Sequence, residues 1–329
     1  MDFDRIAAEF MRALRGKRSQ AALCRRLGYR SNVVYLWEAG RGFPTAARAL
    51  SIARTVGIDV QASVRRFYVA APGWLDEIDV ATPEGVARLL ADLKGTSRIV
   101  DLARDTGKTR FAIARWLKGQ AAPRVNEFFH LVECASLRLL DLIETLVDPA
   151  ALPSVRARWQ SMGVARRLAY DAPWTQAVLR TLELDEYQRL VDPPPGWIAE
   201  RIGITPDEEA HCLSLLERAG QVERAGSGFR PVDVIALDVR RDAQAAARAR
   251  GFWGRVAAER AEAGHRGTVY TVSGVSAADL ERLRELQKAY FSEVRAIIAR
   301  SQPVERVVLT TAQMIDLTDG NESGPVSGS

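Results

Sequence analysis

Three cysteines and three histidines are all that this 329-residue chain offers for thiol or imidazole chemistry. Cys24, Cys134 and Cys212 lie far apart, and no Cys-x-x-Cys pair occurs. That spacing argues against a disulfide framework or a zinc ribbon and for reduced thiols in a cytosol. No apolar run approaches the roughly 18–20 residues of a membrane span. The start Met1-Asp2-Phe3-Asp4 is acidic and leads into no signal-peptide core. Phosphate-loop, dinucleotide-binding, nucleophile-elbow and zinc-protease phrases are all missing. The reading is therefore a cytoplasmic protein with no membrane segment, no cofactor and no catalytic site. Composition is otherwise ordinary, 47% hydrophobic and 26% charged, enough to build real cores. At about 100–200 residues per domain the length suggests two or three domains.

Some metal-ligand types remain. His130 and Cys134 are four residues apart on one predicted helix, and His211-Cys212 lie elsewhere. Together they form a conceivable zinc set. Placed on separate helices, they read first as packed residues, and no metal is expected. Glu208-Glu209 reads as a solvated helix face.

Charge is unevenly spread. Residues 1–72 carry 13 basic and 5 acidic side chains, whereas 73–150 carry 10 and 12, and 151–329 carry 23 and 24. The positive excess sits in the first fifth of the chain and points to a polyanion partner there.

An ungapped shift of 79 residues exposes an internal repeat. Leu14, Gly16, Leu23, Arg25, Gly28, Trp37, Gly40 and Pro44 fall on Leu93, Gly95, Leu102, Arg104, Gly107, Trp116, Gly119 and Pro123, and Val34 falls on Ile113. The matches are core apolar residues and turn punctuation, so the chain opens with two copies of one helical unit. Copy one predicts helices at 3–15, 20–27 capped by Ser19, 32–39 capped by Ser31, and 45–56 after Pro44. Copy two predicts 84–94, 98–106, 109–118 and a long apolar helix after Pro123. Two short helices joined at a glycine turn carry the helix-turn-helix signature.

The phrase Ser19-Gln20-Ala21-Ala22-Leu23, with Leu27-Gly28, Val34, Trp37-Glu38, Gly40 and Pro44, resembles the Xre (Cro/C1-type repressor) helix-turn-helix over about residues 8–60. Copy two resembles a divergent member, with Ile99 in place of Gln20 and Leu117 in place of Glu38. Two such units ahead of a long C-terminal region also resemble an uncharacterised bacterial regulator family. The resemblance implies double-stranded DNA as partner, operator reading in the major groove, repression and a two-fold dimer.

In such a unit the outward residues of the second helix touch base edges. Val34 and Trp37 face the core, which leaves Ser31, Asn32 and Tyr35 outward, with Leu36 beside them. Asn32 suits adenine, and Tyr35 offers a ring and a hydroxyl. Gln20, Arg30 and Arg41 are placed for phosphates. In copy two the outward face is Arg110, Phe111, Ala114 and Arg115, with Arg110 and Arg115 suited to guanine. Lys108, Lys118 and Arg124 lie around it, Lys108 and Lys118 for phosphates.

Residues 69–83 read as a linker and 148–153 as a second break. Residues 154–190 read as two helices. A third helix-turn-helix-like phrase follows Pro193-Pro194-Pro195, its last helix opened by Thr205, Pro206 and Glu208. A hairpin of 221–224 and 229–234 after it suggests a winged helix. The Asp207-Glu208-Glu209 start would repel phosphate, so this unit is expected to make protein contacts. Strands at 267–273 and 305–310 around a helix at 276–300 suggest a small α/β module, and 318–329 a disordered tail.

The expected architecture is mainly α: a Cro/C1-type domain at 1–70, a divergent helix-turn-helix domain at 84–148, a helical and winged-helix-like domain at 154–235 and an α/β dimerisation or sensor module at 236–317. The expected function is a sequence-specific transcriptional regulator acting as a homodimer, with an unknown protein or small-molecule effector at its C-terminal half. The alternative is an antitoxin-like interaction protein that neutralises a partner through that half.

Overall fold

The structure is a computed structural model that describes residues 1–68, 71–232, 243–265, 267, 269–298 and 301–318. The described residues are mainly helical, with eighteen α-helices and one two-stranded sheet.

Copy one folds as α1 (Phe3–Arg15), α2 (Gln20–Arg26), α3 (Val33–Glu38), α4 (Ala46–Thr55) and α5 (Val60–Phe67). Side chains of Asp2, Ser19, Thr45 and Asp59 each accept a first-turn backbone N–H and set where a helix begins. The cap of α3 falls one residue later than the expected Ser31. Asn32 Oδ1 accepts the Tyr35 N–H at 3.2 Å, so its amide oxygen, not the serine hydroxyl, starts the helix. A short α6 (Trp74–Glu77) follows.

Copy two folds as α7 (Pro83–Lys94), α8 (Ile99–Thr106), α9 (Arg110–Leu117), α10 (Val125–Ser136) and α11 (Leu139–Glu144). The same spacing that relates the sequences relates these helices. Leu23, Val34 and Trp37 are buried, as are their equivalents Leu102, Ile113 and Trp116. The turn between the second and third helices is closed by Gly28 at φ 78° and Gly107 at φ 65°, a left-handed conformation that a Cβ would penalise.

The two copies share one hydrophobic core running from Ile6 to Met162. The segment expected to be a linker is part of it, with Trp74, Leu75 and Val80 buried. So is the second break, a 3₁₀ turn at Pro149–Ala151 followed by buried Leu152 and Val155. Within this body α1 packs on α10 and α4 packs on α7, so each first helix meets the other copy's fourth as well as its own. Phe10 and Phe129 meet edge to face across that junction, ring centroids 5.1 Å apart. The copies are also clasped through backbone. Ala46 N–H donates to Pro123 O at 2.9 Å, and Val125 N–H donates to Pro44 O at 3.0 Å. Thr45 and Arg124 form the antiparallel bridge between them.

The C-terminal half comprises α12 (Arg156–Asp171), α13 (Trp174–Leu182), α14 (Asp185–Gln188), α15 (Trp197–Ile202), α16 (Pro206–Arg218), the hairpin β1 (Val222–Ala225) and β2 (Gly228–Pro231), α17 (Ala243–Glu262) and α18 (Ala277–Ile298). A second core gathers Val178, Leu182, Trp197, Ile198, Cys212, Leu216 and Val222. Thr205 and Glu208 make the expected capping box. The strands pair antiparallel, Val222 opposite Pro231. The expected hairpin extended to Val234, which lies outside the described residues. Polar links join the halves. Arg166 on α12 donates to the Asp141 carboxylate at 2.6 Å, and Ser154 donates to Glu9 through both its N–H and its hydroxyl.

The expected α/β module at 236–317 is not what forms. The described residues there make α17, α18 and extended chain, with no strand at 269–273 or 305–310. Val269, Tyr270 and Val272 are 97%, 95% and 80% exposed. β-branched and aromatic residues favour extended backbone, but a strand also needs a paired neighbour and a covered face, and here they have neither. Val304 and Val307 instead lie on the second core, where Val304 O accepts the Asp185 N–H at 2.8 Å. Residues 299–300 of the expected helix and 319–329 of the expected tail lie outside the described residues.

A shared core implies shared stability. Phe129→Ala should cost about 3–5 kcal/mol, the usual penalty for emptying a buried aromatic site. In a urea titration followed by hydrogen exchange, α1 and α7 should lose protection together. Loss confined to α7–α11 would contradict the shared core.

Candidate nucleic-acid interface

In copy one, α1 packs on α3 and α2 on α3, and burial of Val34 and Trp37 turns the opposite face of α3 outward. Ser31, Asn32 and Arg30 are exposed at its start, and Tyr35 and Leu36 are 45% and 43% exposed along it. Arg41 is exposed beyond it, its guanidinium 5.9 Å from the Tyr35 ring centroid. Among the described residues no carboxylate forms an ion pair with Lys17, Arg25, Arg26, Arg30 or Arg41, all exposed. The surface around α2 and α3 is therefore rich in uncompensated positive charge.

What positions this face is a polar cluster. The Glu38 side chain is only 4% exposed and receives Arg15 Nε at 2.5 Å and Arg15 Nη2 at 3.2 Å. It also receives Gln20 Nε2 at 2.9 Å, and Gln20 Oε1 in turn accepts Asn32 Nδ2 at 3.5 Å. Hydrogen bonding to Glu38 holds the Arg15 guanidinium above its ordinary pKa. The cluster ties the end of α1 and the starts of α2 and α3 to the end of α3. It also revises two expected roles. Asn32 Oδ1 is committed to the cap, so two-atom pairing with adenine would cost the helix that cap. The Gln20 amide donates to Glu38, so phosphate would have to compete for it. Sequence reasoning did not assign Arg15. The signal was present in the repeat, because Gln20 and Glu38 change together to Ile99 and Leu117.

Copy two carries the same helix order with different chemistry, and its third helix begins two repeat positions earlier, capped by Thr109. Ile99 and Leu117 pack on the shared core where copy one has its polar cluster. Arg110 and Arg115 are exposed, and Arg110 lies 5.0 Å from the centroid of Phe111, itself 68% exposed. Lys118 is exposed. Lys108, expected to face phosphate, pairs with Glu127 at 2.8 Å. Arg124, also exposed, lies at the clasp and donates to Phe43 O at 2.7 Å. The structure thus brings the outward residues of each copy together at its own third helix, while Lys108 and Arg124, though exposed, are each engaged within the chain.

The conceivable zinc ligands divide between the two cores. His130 stacks on Phe3 at 4.2 Å, and Cys134 packs beside the first core, while Cys212 lies in the second. Burial lowers the His130 pKa and raises both thiols to about 11. Among the described residues no cluster of His, Cys, Asp or Glu could hold a metal ion, and no helix is long and apolar enough to cross a membrane. In the C-terminal half a cleft of about 470 Å³ lies between α16 and α17, lined by Trp174, Glu208, Phe252, Arg255, Glu259 and Arg260 among others.

Compared with known proteins, the chain is similar over residues 156–316 to a family described as domain of unknown function (DUF4423), a stretch that starts at the first residue of α12. No curated protein and no solved structure matches the chain.

The raised thiols give a measurable consequence. With pKa values about 11, Cys134 and Cys212 hold on the order of 100-fold less thiolate at pH 8 than an ordinary thiol. Iodoacetamide should label them slowly in the native protein, at a rate rising about tenfold per pH unit up to that value. Labelling at pH 8 as fast as in urea would refute this.

Proposed function

We propose that the chain is a sequence-specific, double-stranded DNA-binding transcriptional regulator, with α2 and α3 acting as a Cro/C1-type helix-turn-helix and α3 entering the major groove. The observation that carries this is the exposed face of α3, with Tyr35 and Leu36 on it and Ser31 just before it, flanked by Arg30 and Arg41, which form no ion pair among the described residues, in the most basic part of the chain. Such a face meets both needs of DNA recognition, cations for the backbone and varied side chains for base edges. Tyr35 and Ser31 read bases, and Arg30 and Arg41 hold phosphates. In copy two Arg110 and Arg115 read bases, beside Lys118. A bound protein of this kind blocks polymerase, so repression is the expected outcome.

The C-terminal half, with α15, α16 and the hairpin as a winged-helix-like unit, serves homodimerisation or sensing. Leu283, Leu286, Tyr290 and Ile297 on α18 are 37%, 66%, 50% and 64% exposed, an apolar stripe that the described chain does not cover. A second copy is its natural cover, and the cleft between α16 and α17 is the candidate effector site. The uncovered stripe also favours a second reading, an interaction protein that neutralises a different partner. Light scattering separates the two, since self-pairing gives a dimer without any partner present.

DNA binding is tested by fluorescence anisotropy on a duplex selected from a random pool. Tyr35→Ala should cost roughly 1–3 kcal/mol on that duplex and leave random DNA nearly unaffected. Arg41→Ala should weaken both alike and reduce the salt slope by about one. If neither variant changes either affinity, this face does not bind DNA.

A further inference from the structure

The two backbone hydrogen bonds of the clasp exchange identities under the 79-residue shift. Ala46 and Pro123 become Val125 and Pro44, so the bond from Ala46 to Pro123 maps onto the bond from Val125 to Pro44. The bridged residues Thr45 and Arg124 are equivalents. The helix packing between copies obeys the same rule, because α1 on α10 maps onto α7 on α4. At the far end α5 packs on its own equivalent α11, and Arg66 Nη2 donates to the carbonyl of its own equivalent, Thr145, at 3.2 Å. Contacts in which each residue meets its counterpart, and each pair recurs with the roles reversed, define an isologous interface, the signature of a two-fold axis. A head-to-tail tandem would pair unlike surfaces instead. The repeat is therefore a dimer built inside one chain, with its dyad passing between Thr45 and Arg124.

Resting on the DNA-binding reading above, we infer that a single chain occupies both halves of its DNA site, α3 reading one half-site and α9 the other, and that the two half-sites differ in sequence. The dyad relates α3 to α9 as it relates their copies. Each helix ends seven residues from the axis pair, Glu38 before Thr45 and Leu117 before Arg124. At up to about 3.5 Å per residue, the two helix ends lie within roughly 50 Å of each other, a reach that accommodates half-sites about 34 Å apart.

The chemistry of the two faces is unlike at every outward position. Ser31, Asn32, Tyr35 and Leu36 correspond to Arg110, Phe111, Ala114 and Arg115. Two arginines favour guanine O6 and N7, and an exposed ring such as Phe111 suits a thymine methyl. The copy-one face offers a tyrosine, a hydroxyl and an aliphatic side chain, with no side-chain cation on α3 itself. A homodimer of single units reads a palindrome, whereas this pseudo-dimer is built to read an asymmetric site. A second chain paired through the C-terminal half would bring a second dyad and a second site of the same kind.

The test uses the full chain and a randomised duplex pool. Selection should return two different half-sites about one helical turn apart. Arg110→Ala with Arg115→Ala should lower affinity about 5–150-fold through one half only, measured by changing the bases of each half in turn. Tyr35→Ala should act through the other half only. All three side chains are exposed, and thermal melts verify that the variants fold. A palindromic site, or a site in which Tyr35→Ala acts on both halves and the arginine variant on neither, overturns the inference while leaving DNA binding intact. Failure to enrich any sequence, with no affinity for random duplex, overturns the DNA-binding reading and this inference together.

Discussion

Neither copy of the repeat closes a core by itself. Each first helix packs on the fourth helix of the other copy as well as on its own, and Phe10 against Phe129 marks one of the contacts between copies. Burial of apolar surface is the dominant favourable contribution to folding, and for a unit of this size it is scarce. Sharing one core between two copies raises the fraction of surface each removes from water. The remaining arrangement follows from that sharing. It fixes the orientation of α3 relative to α9, draws the 74–80 segment inside, and presents α11 and α1 to the C-terminal half. There Asp141 and Glu9 receive Arg166 and Ser154.

With the scaffold fixed, the two copies have solved the same local problem by different means. In copy one a nearly buried carboxylate, Glu38, gathers Arg15 and Gln20 and so sets how α3 lies against α1 and α2. In copy two Ile99 and Leu117 take those places and pack. A buried carboxylate is tolerated only when its oxygens are hydrogen-bonded, which makes the polar version geometrically demanding. The apolar version is less directional and more forgiving of change nearby. The helix order nonetheless stays equivalent, because the glycine turns and buried Val34/Ile113 and Trp37/Trp116 pairs are common to both.

Much of this was legible from sequence where the information is local. Caps at Ser19 and Thr205 and the turns at Gly28 and Gly107 placed helix ends to within a residue or two, since a cap is a contact between neighbours in the chain. The outward faces of α3 and α9 followed from Val34, Trp37 and Ile113 at helical spacing. The shared core was not legible, because periodicity says which face is apolar and not what covers it. For the same reason 69–83, rich in turn residues, read as a linker although Trp74 and Val80 are buried. The runs at 269–273 and 305–310 looked like strands because the residues that favour a sheet also favour unpaired extended chain. Side-chain engagement was the other blind spot. Asn32, Gln20, Lys108 and Arg124 are polar and well placed in sequence, but each already holds a hydrogen bond or ion pair that only the fold reveals.

The clasp at Thr45 and Arg124 has a consequence for how the protein behaves when it is scarce. Two separate units that pair by diffusion dissociate on dilution, so their paired fraction falls steeply when few molecules are present. Here the partner is tethered within the same polypeptide, and such tethering supplies an effective concentration on the order of millimolar. The pair forms when the chain folds and persists at any copy number. Cell-to-cell variation in expression then changes how many paired units exist, but never whether a given unit has its mate.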